Sequence, residues 1–280
     1  VKLQTKSYLI TAMAAAILLA GCASGPTGEP AQTSAANRVL EAYDVPDLLA
    51  QAAPAINQSL DKNLPDDTSQ ADREQLRSAV YAAYAPDALY ADVAQRLRSA
   101  ADAEDHKRDL ASSADELNAP LAQRMISLES VTGDENFAAS FNSFMEQPAS
   151  DNRKARLRII DALADNMQIV QLQTAFNVTL LETMIRSRNA VVDSAQQVDE
   201  TQVERMLTNT RSGIRGQLEE RVPQMLLYVY RDVDDATLQS YADLQSQPDL
   251  MWANRAVENA IIASLSAAGK KVPAAYSTGS

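Results

Sequence analysis

Few residues here are of a type that does chemistry, and their counts already narrow the choices. The 280-residue chain carries one histidine, His106, and one cysteine, Cys22. A zinc site built from His and Cys needs three or four such ligands in total, so it is excluded by count. His106 stands among Glu104, Asp105, Lys107 and Arg108, which reads as a titrating residue at a solvated helix start rather than the base of a triad. Glu129, in Ile126-Ser-Leu-Glu129-Ser130, has the chemistry of a general acid; its ordinary reading is a surface glutamate near a helix end. The acidic pairs at 102–105 and 232–235 have oxygens suited to a hard cation such as calcium. Both also lie where a helix N-terminus favours negative charge, and they read as caps. No EF-hand loop, phosphate-cradling glycine loop or GxGxxG occurs. The expectation is a non-enzymatic chain with no catalytic, metal-binding or cofactor-binding residue and no cofactor.

Cys22 is the exception. Residues 1–8 carry Lys2 and Lys6 and no acid, and Leu9 to Ala20 is almost wholly apolar. A charged start, a short apolar run and small residues at a cut form a secretory signal. The run falls short of the roughly 20 residues needed to span a bilayer. Leu19-Ala20-Gly21-Cys22 resembles the bacterial lipoprotein signal, in which the cysteine is acylated and the preceding segment removed. That resemblance implies a mature chain held on a membrane through lipidated Cys22, and Ala23 at the next position implies the outer membrane, facing the periplasm. Several acyl chains, at ~0.8 kcal/mol per buried CH₂, anchor durably.

Loss of residues 1–21 removes two lysines and no acid, taking the formal charge from −12 to −14. Such a surface repels phosphate backbones, so nucleic acid is a poor partner. With one cysteine no intrachain disulfide forms, and stability rests on burial. Glycine is scarce, with only Gly133, Gly213, Gly216 and Gly269 in the expected folded part, and alternating β-branched runs are hard to find. The fold class that follows is all-α.

Five segments are expected: a signal at 1–21, a flexible tether at 22–36 with a reach of about 20 Å, a helical half at 37–147, a second at 151–269, and a disordered tail at 270–280. Asp44 and Pro46 read as a helix start, as do Ser69 to Asp72 and Asp199 to Gln202. A long helical pattern runs from Arg153 to about Arg188, and another from Asp199 to Tyr230. Phe137, Phe141 and Phe144 share a stripe that reads as core, or as a partner groove if exposed. Arg153, Lys154, Arg156 and Arg158 open their helix at its unfavourable end; they pair with this chain's own acids or dock an acidic partner or anionic envelope polymer.

The halves are related. A shift of 128 residues lays Leu110, Ser112, Ala114, Asp115 and Pro120 on Leu238, Ser240, Ala242, Asp243 and Pro248. The unit is an acidic helix start, an amphipathic helix, a proline-marked break and a returning helix. It cannot bury its apolar stripe alone, so two copies pack together into one helical bundle.

Two patches resemble the bacterial family catalogued as domain of unknown function 2059. They are Tyr228 to Pro248, with its aromatic, capped acidic turn and proline break, and Arg38 to Leu49, which is similar to the family's opening helix pair. The resemblance implies an exported, all-helical fold and transfers no active site. Glu129-Ser130 at a helix end also resembles the catalytic start of lytic transglycosylases, although Val131-Thr-Gly-Asp-Glu-Asn follows in place of that family's next segment. The leading expectation is an outer-membrane lipoprotein acting as a binding or scaffolding module, with the membrane and an envelope protein as partners. The alternatives are a carboxylate-based enzyme of peptidoglycan and an apolar-ligand carrier between helices.

Overall fold

The computed structural model describes residues 34–103, 105–147 and 151–278, and among them every regular element is helical. The first half contains α1 (Ala35–Ala42), α2 (Val45–Ala50), α3 (Ala52–Asn63), α4 (Gln70–Ala83), α5 (Pro86–Ala103), α6 (Lys107–Leu117) and α7 (Pro120–Glu129). After α8 (Phe137–Glu146), the second half contains α9 (Asp151–Asn166), α10 (Ile169–Val191), α11 (Glu200–Val229), α12 (Asp235–Gln245) and α13 (Pro248–Thr278). The lipoprotein signal and Cys22 lie outside the described residues.

The relation between the halves extends well beyond the matched window. Both α6 and α12 are 11 residues long, and both are followed by a two-residue break and a helix opened by proline. The breaks close alike: the Asn118 amide donates to Ala114 O at 3.3 Å and the Ser246 amide to Ala242 O at 3.0 Å. The ends of α3 and α10, Asn63 and Val191, are also 128 apart. Upstream, each half has a helical corner at a residue in left-handed conformation, Asp44 (φ 52°) and Gln168 (φ 56°). Here the shift is 124, so the second half holds four extra residues, about one helical turn, between its corner and the end of α10.

Ser34, Ser69, Asp199 and Asp234 each cap a helix through a side-chain oxygen accepting a backbone amide. Asp44 precedes α2 as expected but makes no side-chain cap. The structure departs from sequence expectation in three places. The tether's last residues, Ala35 and Ala36, already belong to α1. The helix expected across 153–188 breaks at Gln168, where no glycine or proline announces it. Residues 270–278 are not a disordered tail: α13 continues to Thr278, because Val272 is buried and Tyr276 donates to Asp72 at 2.8 Å.

Two apolar clusters result. The larger joins α1 to α6 with α10 and α13; the smaller gathers α7, α9, α11 and α12 around Tyr230 and Tyr241. Thus α13, from the second half, packs against α4, α5 and α6 of the first as well as α10. Gly269 permits that approach: a Cβ there would lie 2.2 Å from Thr183 Oγ1 on α10 and 2.9 Å from the Tyr84 hydroxyl. Tyr84 itself donates to Leu265 O at 3.0 Å and lies 2.7 Å from Thr183 Oγ1, and burial pushes its phenol up to about 12.

Candidate functional site: a cavity between equivalent corners

A cavity of about 120 Å³ opens where the two halves meet. Its wall is made of residues that correspond between the halves. From the corners come Tyr43 and Met167, Val45 and Ile169, and Leu48 and Leu172, each pair 124 apart. From α7 and α13 come Ile126 and Asn254, and Glu129 and Val257, each pair 128 apart. Equivalent residues facing one cavity are what a two-fold relation between the halves produces. Leu48, Leu172 and Ile126 are half-exposed at the rim, whereas Glu129, Phe176 and Ile261 are buried at the floor.

The corners shape the mouth. Asp44 and Gln168 hold left-handed backbone without being glycine, at a cost of about 1–2 kcal/mol each. Both repeat one pattern: the corner amide donates three residues back, Asp44 to Glu41 O and Gln168 to Asp165 O, each at 3.1 Å. Such conformations persist where surrounding contacts fix them, and they concentrate at binding sites.

The chemical difference between the halves lies inside the cavity. Glu129 is the last residue of α7, 6% exposed, and its Oε1 accepts from the Tyr230 hydroxyl at 2.5 Å. Burial raises its carboxyl from an ordinary value near 4.5 to about 7, and the Tyr230 bond opposes that rise in part. Between the halves, Tyr43 donates to Asn254 Oδ1. The Asn254 amide in turn donates to Asn166 O at 3.0 Å, tying α13 to the end of α9 just before the Gln168 corner. It also reaches Gln245 Oε1 at 3.4 Å, and Gln245 donates to the Tyr241 hydroxyl at 3.2 Å. Tyr241 meets Tyr230 edge to face at 6.2 Å. Burial raises Tyr43, Tyr230 and Tyr241, and the Glu129 charge adds to each. One buried polar pole therefore stands in a largely apolar wall, whose other polar residues are Asp44, Gln51 and Gln173.

The other residues singled out in the sequence are placed elsewhere. His106 precedes α6, bonds Asp109 and stacks on Trp252 at 4.7 Å, so it is half-buried rather than solvated. Among the acids, Asp234 caps α12, Asp235 pairs with Arg156 at 2.6 Å and Asp102 pairs with Lys107 at 3.2 Å. Glu104 lies outside the described residues. Among the described residues no group of three or more His, Cys, Asp or Glu side chains is placed to hold a metal. Arg156 is buried and donates to Val233 O and Tyr230 O at 2.8 and 2.9 Å, closing the end of α11. Arg153 lies over the Phe144 ring at 4.3 Å. Phe137, Phe141 and Phe144 are half-exposed and set their rings edge-on to Tyr228.

The sequence reading places Glu129 on the surface, and the structure corrects it. The signal for burial was present: Ala122, Met125, Ile126 and Glu129 recur at helical spacing, which puts the glutamate on the apolar face of α7. The Gln168 corner left no such signal, since nothing in Gln168 itself encodes left-handed backbone, whereas Asp44 and Pro46 did mark the first corner as a helix start. In comparisons with known proteins, no family model, curated protein or solved structure matches this chain. Among the described residues, no helix is long and apolar enough to cross a membrane.

Proposed function

We propose that this protein is a non-catalytic binding module of the bacterial envelope, held on the periplasmic face of the outer membrane through acylated Cys22, that takes a small, mostly apolar molecule into the cavity between its halves. The observation that carries the reading is the cavity: a mostly apolar wall, a hydrogen-bonded polar pole of Glu129, Tyr43 and Asn254, and a partly exposed rim. Binding sites for small molecules share that make-up. Its size sets the scale of the ligand, since an apolar cavity of about 150 Å³ takes benzene. A glycan strand or a full acyl chain exceeds it, which argues against peptidoglycan cleavage at Glu129.

Thermal unfolding with a neutral probe, benzyl alcohol, tests the reading. The probe should raise the melting temperature of the parent and leave that of Leu172→Trp, whose indole fills the cavity from the rim, unchanged. A shift that survives the filling, or no shift in the parent with this probe or a charged analogue of its shape, would reject it. Cys22→Ser tests the anchor: the parent should fractionate with outer membranes and the variant with the soluble periplasm.

A second reading concerns α8, none of whose residues is buried and whose Met145 is 38% exposed. An envelope protein covering that helix would be captured by a photocrosslinker at Met145; a crosslinker at the equally exposed Met206 on α11 serves as control.

A further inference from the structure

The charge pattern of the cavity says more than its size. Its lining includes two carboxyls, Glu129 and Asp44, and no lysine, arginine or histidine. The nearest cation along the bonded network, Arg156, is turned away, its donors going to Val233 O, Tyr230 O and Asp235. Tyr43 and Phe176 place two aromatic rings in the wall, the groups that attract a cation through the ring face. The whole chain is acidic, with a net charge of −12, which favours approach of a cation and opposes that of an anion.

We propose that the cavity selects a small lipophilic cation, an ammonium group on a compact apolar body, with its charge set against Glu129 and its body against Phe176, Leu172 and Ile261. This rests on the cavity being a ligand site. An anionic head would face Glu129 and Asp44 with no counter-ion, and a neutral head would leave the buried carboxyl protonated. Only a cation supplies what the glutamate lacks.

Binding then exchanges one positive charge for another. Where Glu129 is protonated, entry of the ammonium ion expels that proton to solvent, leaving a carboxylate–ammonium pair with net charge conserved in the site. Glu129 titrates near 7. The groups facing it are Tyr230 just after α11, Tyr241 from α12 and Tyr43 at the first corner, all kept neutral by burial, and Asp44 also lines the cavity.

Calorimetry on the full chain with three probes of one shape tests this: benzylammonium, benzyl alcohol and benzoate. Benzylammonium should bind at least about tenfold tighter than benzyl alcohol at about pH 8, and benzoate weakest of all. Its affinity should fall about tenfold between about pH 8 and about pH 6, where a proton competes for Glu129. Titrations at about pH 6 in buffers of different ionisation heat should show close to one proton released per ligand, and almost none at about pH 8. Glu129→Gln, which keeps an acceptor for Tyr230, should lose the preference for the ammonium over the alcohol and release no proton. Equal binding of the alcohol and the ammonium, tightest binding of benzoate, or a preference that survives Glu129→Gln would overturn the cation assignment while leaving the cavity a ligand site. If none of the three probes binds the folded protein, the ligand site itself falls, and this inference with it.

Discussion

At the scale of single residues, Glu129 makes the stability of the molecule depend on pH in an unusual direction. Its carboxyl is raised on folding, so the folded state holds its proton more tightly than the unfolded state between its ordinary value near 4.5 and about 7. Stability from this group is complete below about pH 4.5 and is lost as pH rises through about 7. A rise of this size corresponds to about 3 kcal/mol. Denaturant unfolding across that range should therefore show the parent losing stability toward neutral pH, with Glu129→Gln flat by comparison and more stable at about pH 8. Two of the helical glycines, Gly213 and Gly269, make a second pair of opposites. A Cβ at Gly213 meets nothing within 4 Å, so Gly213→Ala should stabilise by about 0.5–1 kcal/mol. A Cβ at Gly269 collides with Thr183 and Tyr84, so Gly269→Ala should destabilise by about 1–3 kcal/mol. Melting temperatures of the two variants decide both.

At the scale of elements, the ends of helices are fixed by particular donors. Arg156 enters the first half of α9, where its charge opposes the helix dipole, yet it closes the carbonyl end of α11 and meets Asp235 at the start of α12. A helix start charged the wrong way thus makes sense only through its neighbour. Arg156→Leu leaves the buried Val233 and Tyr230 carbonyls without that donor and should cost about 1–3 kcal/mol, with helical content in the folded state preserved; urea titration and circular dichroism check the two halves of that statement. The corners at Asp44 and Gln168 show what element-level sequence patterns miss. The apolar period of α9 runs on into α10 through Ile160, Leu163, Met167 and Val170, so the pattern reads as one helix. The break comes from tertiary constraint: the Asn254 amide holds Asn166 O at the end of α9, and the chain turns there.

At the scale of the molecule, neither half closes a core alone. Leu250, Ile261, Leu265 and Val272 of α13 belong to the cluster formed by α1 to α6, while Ala122 and Met125 of α7 belong to the cluster around α9, α11 and α12. Residues 34–147 produced alone should be unfolded by circular dichroism, as should 151–278. Mixed or co-expressed, they should regain a single cooperative transition; a stable, folded half by itself would disprove the shared core. The cavity belongs to this scale too, because half of its wall comes from each side.

The amino-acid order by itself determined the helical class and the caps at Ser69, Asp199 and Asp234, which depend on residues within a few turns of one another, and the kinship of the two halves, which is a pattern repeated 128 residues apart. The spacing from Ala122 also puts Glu129 on the apolar face of α7, a signal that the reading of Glu129 as a surface residue passes over. Tertiary structure alone decided that this face meets the second half at two left-handed corners, that α13 threads into the first half, and that a carboxyl near a helix end becomes the polar pole of an apolar cavity. The physical reason is that burial, backbone strain and a raised carboxyl are properties of neighbours brought together from 88 to 101 residues away, and no local pattern encodes them.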